Sequence, residues 1–130
     1  MLANRDVVAT IAVKDLDAAA RFYEGTLGLS RIPRDADDDA ILYRSGSSAV
    51  LVYTSQFAGT NQATSASWGV GDDLDQVIDD LKSKGVAFER YDMPGVAREG
   101  DVHVMGNLRA AWFRDPDGNN LNLVNEELPH

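Results

Sequence analysis

Few side chains in this sequence could do chemistry. There is no cysteine, which excludes disulfides, thiolate nucleophiles and thiolate metal ligands. Of the two histidines, His130 is the last residue and is expected to fray, and His103 is internal. A serine nucleophile needs a histidine base oriented by an acid. One internal histidine, with nothing in the spacing to set a serine beside it, supports no such arrangement. His103 could still act as an acid, a base or a hydrogen-bond donor to a ligand; the plainer alternative is a surface loop histidine. Glu89, Glu99 and Asp101 could serve as bases or pair a cationic ligand, but acids of this kind are usually solvated surface. Gly69-Val70-Gly71 and the stretch 25–28 lack the Lys-Ser/Thr that completes a phosphate loop, so they read as turns.

The remaining candidates suit binding better than catalysis. Tyr43 and Tyr53 lie in β-type runs and could line a pocket or fill a core. Trp112 and Phe113 are neighbours in one run. Alternation therefore sends one toward a core and the other toward the opposite face, without saying which. Asn120 and Asn122 share a parity and offer amide groups. Met93 and Met105 flank a long glycine-containing segment and could form an adaptable apolar wall or fill gaps.

These groups sit in 130 residues, enough for one domain with a real core. The formal net charge of −9 argues against nucleic acid, whose phosphates require clustered cations. No apolar run approaches the ~20 residues of a membrane helix. The first residues show no cationic flank leading into an apolar stretch, so a cytoplasmic location is expected.

The positioning elements are read from an internal repeat. Residues 9–17 (ATIAVKDLD) and 66–75 (ASWGVGDDLD) each run from a β-type stretch into an acidic cluster and then a helical pattern. Asp15, and Asp72 or Asp73, can cap the helix starts. Leu74, Val77, Ile78 and Leu81 form a one-face stripe, and Ala19, Phe22, Tyr23 and Leu27 a weaker one. Gly28 and Gly85 end the two helices. Strands are expected at 29–33, 40–44 and 49–54, then at 86–91, 108–114 and 120–125. Residues 35–39 read as an acidic surface turn, 57–64 as a polar linker and 93–107 as a long irregular loop. Asp115-Pro116-Asp117-Gly118 is a turn in which Pro fixes φ and Gly supplies a positive one.

Two βαβββ halves with these motifs resemble the vicinal-oxygen-chelate superfamily of glyoxalases, bleomycin-resistance proteins and extradiol dioxygenases. The opening resemblance is carried by Val13-Lys14-Asp15-Leu16-Asp17, Phe22-Tyr23 and Leu27-Gly28-Leu29. The closing one is carried by Phe113-Arg114-Asp115-Pro116-Asp117-Gly118-Asn119-Asn120-Leu121-Asn122-Leu123. The resemblance implies an α+β fold of two modules, about 6–56 and 64–126, within a single domain 1–130. It implies mixed sheets curled into a U-shaped cup, in a homodimer. It also implies metal ligands at Val8, near Ser65 and at Asn122, where this sequence offers no good donor; His103 is the nearest histidine. Alternation agrees with that register. Val7, Ala9, Ile11 and Val13, with Leu121 and Leu123, face the helices. Val8, Thr10 and Ala12, with Asn120, Asn122 and Val124, face the cup. By the same parity Trp68 faces the helices.

The expectation is metal-independent binding of an aromatic or apolar small molecule, in the manner of an antibiotic-sequestering protein. No catalytic residue, metal or cofactor is assigned. The binding residues are Val8, Thr10, Tyr43, Tyr53, Ser65, Ser67, His103, Met105, Trp112, Phe113, Asn120 and Asn122. The alternatives are a glyoxalase- or dioxygenase-like enzyme, with a divalent metal or with a metal-free acid or base, and a structural or regulatory dimer.

Overall fold

A computed structural model describes residues 1–34 and 39–127. The acidic stretch 35–38 and His130 lie outside the described residues. The first module contains β1 (Ala9–Val13), α1 (Leu16–Ala20), β2 (Ser30–Arg31), β3 (Ala40–Ser45) and β4 (Ser48–Thr54). The second contains β5 (Thr64–Gly69), α2 (Leu74–Ser83), β6 (Phe88–Glu89), β7 (Ala97–Glu99), β8 (Val102–Met105), β9 (Leu108–Arg114) and β10 (Asn120–Val124). The architecture is α+β, with mixed sheets of four and six strands.

The repeat is exact in topology. In the first sheet β1 runs parallel to β4, and β4–β3 and β3–β2 are antiparallel. In the second, β5 runs parallel to β10, and β10–β9 and β9–β6 are antiparallel. The difference is an inserted hairpin, β7–β8, whose second strand pairs with the start of β9. Two-residue turns beginning with glycine make three of the connections: Gly46-Ser47, Gly100-Asp101 and Gly106-Asn107. Each glycine has positive φ while the residue after it does not, the pattern of a type II′ hairpin turn.

Local chemistry fixes both helices. The Asp15 carboxylate accepts from the backbone N–H of Asp17 and Ala18, a cap worth about 1 kcal/mol. After Ala20 the helix widens into a π-helical turn over Arg21–Thr26, which sets Tyr23 fully inside. α2 buries Leu74, Ile78 and Leu81 and half-buries Val77. Each buried side chain contributes roughly 1.5–3 kcal/mol. Asp73 occupies the cap position without a side-chain bond.

One core cluster takes in both sheets and both helices, from Ile11, Val13 and Val52 to Phe113, Leu121 and Leu123. Tyr23 stacks on Tyr43 of the first sheet, and its neighbour Phe22 lies against Phe113 of the second. The Asp115 turn joins the halves. Its carboxylate accepts from the N–H of Asp117 and Asn119, from the Asn119 amide and from the Tyr23 hydroxyl, at 2.8–2.9 Å. The Asn119 amide also donates to the Ala12 carbonyl at 2.7 Å. Burial first, and then the Asp115 carboxylate, push the Tyr23 hydroxyl far above the ordinary tyrosine range. The linker crosses this turn so closely that a Cβ on Gly59 would run into the Asp117 carbonyl, and Gly59 has φ +74°.

The segment 93–107, expected to be one irregular loop, instead contains β7 and β8. Gly100 and Gly106 are the turn residues of two successive hairpins, β7–β8 and β8–β9.

Candidate functional site

Each sheet has a face turned away from the helices. On the second sheet that face carries His103 from β8, Ala110 and Trp112 from β9, Asn120 and Asn122 from β10, and Thr64 and Ser67 from β5. Strand register aligns them: His103 opposite Ala110, Trp112 opposite Asn122, and Asn122 beside Ser67. His103, Asn120 and Asn122 are buried, at 0%, 3% and 6% exposure. A buried polar atom without a partner is costly, about 1–3 kcal/mol, and therefore informative. Three such atoms lie here: His103 Nδ1, Asn120 Oδ1 and Asn122 Oδ1.

The surroundings fix the hydrogen-bond character of two of them. The backbone N–H of Tyr91 donates to His103 Nε2 at 2.9 Å. An accepting Nε2 carries no proton, so in the neutral ring Nδ1 is the donor. The Asn120 amide N–H donates to the Gln62 carbonyl, which leaves its oxygen as an acceptor. The Trp112 indole N–H donates to Thr64 Oγ1 at 3.1 Å, which holds the ring over this face. Tyr91, His103 and Trp112 form an aromatic trio with centroids 5.0–5.8 Å apart. The hairpin beneath His103 is tied down by Asp101, which pairs with Lys82 of α2 at 2.7 Å and Arg90 at 3.0 Å. The Lys82 hydrogen bond, then the one from Arg90, hold the Asp101 carboxyl below the usual carboxylate range against some desolvation. The face also carries charge: Arg98 stands opposite His103, Arg114 opposite Asn120 and Glu89 opposite Trp112, with Arg114 on Glu89 at 3.2 Å and Arg98 on Asp92 at 3.7 Å.

Of the residues expected to bind, the structure gathers Ser67, His103, Trp112, Asn120 and Asn122 on this one face. Met105 lies half-buried on the same strand as His103, and Ser65 sits at a bulge in the β5–β10 pairing. Val8, Thr10 and Tyr53 belong to the first sheet, exposed at the start of β1 or on its open face.

Two expected pocket residues are corrected. Tyr43 and Phe113 occupy equivalent places, since Tyr43 pairs with Val50 and Phe113 with Leu121. Both are fully buried on the helix side. Phe113 packs between Phe22 and Phe88. Tyr43 stacks on Tyr23 and donates its hydroxyl to Glu24 at 2.8 Å. This leaves Trp112, not Phe113, on the open face. Trp68 joins the core as its parity implies, with its indole N–H on Ser45 at 2.9 Å. Tyr91, Thr64 and Gln62 are contributors that sequence reasoning missed. A tyrosine just after a β-type run, level with the Trp112 strand, was the available signal for Tyr91.

A surface cleft of about 550 Å³ lies elsewhere. Val7, Ala9, Val50, Ala66 and Trp68 line it, and their parity places it on the helix side of β1 and β5. A hydrocarbon-lined groove beside α2 has a cavity of about 120 Å³.

The donor set does not fit a divalent metal. Val8 has no donor atom, and Ser65 and Asn122 supply only neutral oxygens. Among the described residues no three His, Cys, Asp or Glu side chains gather as a metal-holding group. Nor, among them, is any helix long and apolar enough to cross a membrane.

Comparison with known proteins places this geometry. The sequence model of the Glyoxalase/Bleomycin resistance protein/Dioxygenase superfamily matches residues 6–123. No curated protein matches the chain. Among solved structures, the glyoxalase family protein from Enterococcus faecalis superposes with a TM-score of 0.71 at 19% identity, covering 95% of this chain and 99% of that one. An integron cassette protein from the mobile metagenome of the Halifax Harbour sewage outfall gives 0.69 at 19% identity, with the same coverage. The fosfomycin resistance protein FosX from Listeria monocytogenes gives 0.65 at 16% identity, covering 96% and 93%. At these identities the likeness is one of fold.

Proposed function

Since the chain belongs to the glyoxalase, bleomycin-resistance protein and dioxygenase superfamily, we propose that it binds a small aromatic or apolar molecule on the open face of its second module, without a metal, and that its role is antibiotic sequestration. The observation that carries this reading is the wall formed by Tyr91, His103 and Trp112 beside the unpartnered polar atoms of His103, Asn120 and Asn122. Rings supply contact area at low entropic cost, and a few fixed polar atoms set orientation. Sequestration needs affinity alone, so the missing nucleophile–base pair is no obstacle. A resistance role is supported by structural neighbours described as fosfomycin resistance proteins.

The working form in this reading is a cytoplasmic homodimer. The first sheet leaves Val8 and Tyr53 exposed on its open face, with Leu42 and Leu51 only half covered. A second copy is the partner proposed to cover them. The alternative is an enzyme of the same superfamily, favoured by the neighbours of the glyoxalase family. It would have to work through His103 or a tyrosine, because the three positions above do not fit a metal.

The test is a pair of titrations on untagged protein. Mn, Fe, Ni and Zn are added while thermal unfolding is followed, since a ligand specific for the native state raises the melting temperature with concentration. Aromatic antibiotics are then titrated against tryptophan fluorescence. Saturable quenching without a metal-dependent shift supports sequestration. One tightly held metal per chain by elemental analysis overturns it in favour of the enzyme.

A further inference from the structure

Part of the second module's open face is covered in this conformation, and one short segment covers it. Between β6 and β7 the chain crosses as a strap, residues 90–96, that belongs to no strand. Resting on the binding reading above, we propose that this strap is a lid latched to His103. Tyr91 is its plug, and the plug must leave before an aromatic ligand can lie against His103 and Trp112.

The plug holds the ligand's place. The centroid of the Tyr91 ring lies 5.7 Å from that of His103 and 5.8 Å from that of Trp112. His103 is 0% exposed although Tyr91 is itself only half-buried, so the cover over this ring is thin. The latch is the Tyr91 backbone N–H, which donates to His103 Nε2 at 2.9 Å. The accepting nitrogen of the imidazole is thus taken by the protein's own backbone, where a ligand donor would otherwise compete.

The strap is built to move as a unit. The Val96 N–H donates to the Met93 carbonyl at 3.1 Å, with Pro94 and Gly95 between them and φ +77° at Gly95. This is the type II arrangement, in which Pro presets φ and Gly supplies the positive value. No residue of 90–96 joins the core cluster. Apart from the latch, the polar ties of the strap to the rest of the protein, among the described residues, are two ion pairs. Arg90 lies on Asp101 at 3.0 Å, and Asp92 on Arg98 at 3.7 Å with the Asp92 side chain 96% exposed. Exposed pairs of this kind hold little. Few buried apolar contacts and few buried bonds mark the parts of a fold that open locally.

Native-state hydrogen exchange tests the lid without a ligand. The Tyr91 amide, followed in urea below the unfolding transition, is expected to exchange about a hundredfold or more faster than the slowest amides of β9 and β10. Its rate should scarcely depend on urea, because a local opening exposes little surface. Exchange of Tyr91 together with that slowest set, with the same urea dependence, overturns the proposal, since the strap would then leave only when the chain unfolds. In His103→Phe, which keeps a ring but removes the acceptor, Tyr91 exchange should quicken severalfold; an unchanged rate overturns the latch. The plug is tested with p-cresol, the tyrosine side chain as a free molecule, titrated into the wild-type chain and Tyr91→Gly and read from the His103 ring resonances. Circular dichroism checks that both variants are folded. Tyr91→Gly is expected to bind about tenfold or more tighter, because the wild type must first open. Equal affinity overturns the plug. Binding to neither chain sinks the binding reading and the plug with it, while exchange decides by itself whether the strap opens.

Discussion

The two modules share one strand plan and make opposite use of it. Thr10, Leu42 and Leu51 of the first sheet stand where Ser67, Trp112 and Asn122 stand in the second. On the first sheet that row is exposed or half-buried and otherwise aliphatic. On the second sheet Ser67 is exposed and Trp112 half-buried, but Asn122 and its neighbours Asn120 and His103 are sealed, with Tyr91 and the inserted hairpin drawn against them. The inward rows barely differ, for Val50, Val52 and Tyr43 match Leu121, Leu123 and Phe113 in burial. The inward rows keep their burial, and the contrast between the modules is greatest on the face that the core does not constrain and in the inserted hairpin. Buried polar atoms there raise the energy of the free protein, a common cost of a binding surface.

The comparison can be broken most severely at the joint. Asp115→Ala would strip the acceptor from Tyr23 and Asn119 and is expected to cost about 3–5 kcal/mol in urea denaturation. A cost below about 1 kcal/mol would mean that the modules cohere without the turn. Alkali attacks the same joint. The Tyr23 hydroxyl titrates higher in the folded than in the unfolded chain, so its neutral form favours folding. That contribution is complete below pH about 10, the unfolded value, and is lost as pH rises beyond it, at about 1.4 kcal/mol per unit. Tyr23→Phe should flatten the fall between pH 10 and 11 in denaturation series; an unchanged slope would place the alkaline sensitivity elsewhere.

A reciprocal exchange sharpens the contrast between the faces. Asn122→Leu removes an unpaired amide at similar volume and should stabilise the free protein by about 1 kcal/mol, a rise of a few degrees in melting temperature. Leu51→Asn in the first module should destabilise by a similar amount. Equal signs for both would show that the faces do not differ in kind. The smallest effect is expected from Asp101→Asn, which loosens the hairpin from Lys82 and Arg90. Global stability should drop by less than about 1 kcal/mol, because both cations are half exposed. Amide exchange across β7 and β8 should nonetheless quicken severalfold.

Much of this was legible in the residues. The α2 stripe, the Asp15 cap, the Asp115 turn and four of the six expected strands lie in patterns dominated by local chemistry and period. The other two, at 29–33 and 86–91, form only the two-residue strands Ser30–Arg31 and Phe88–Glu89. The hairpin at 97–105 is the omission, because Gly95, Gly100 and Gly106 read as loop markers in a long glycine-containing segment. Gly100-Asp101 and Gly106-Asn107 are in fact hairpin dipeptides of the same type as Gly46-Ser47. That omission hid the burial of His103. Tyr43 reads equally as pocket or core, and spacing within β9 does not choose between Trp112 and Phe113, so all three stand among the expected binding residues; pairing with β10, whose Leu121 and Leu123 face the helices, is what settles Phe113. The unpartnered side-chain oxygens of Asn120 and Asn122 depend on contacts with other segments, and no sequence period encodes that.

The Asn119 bond to the Ala12 carbonyl spans 107 positions, and the Tyr23 bond to Asp115 spans 92. On a ribosome adding about 5–20 residues each second, the first strand waits roughly 5–20 s for the residue that will hold it. Until then the apolar side of β1 and α1 is without its final cover. The signature turn can therefore close on the first module only after about a hundred further residues have been added. A chain stopped before it would present the unpaired first half to chaperones and proteases.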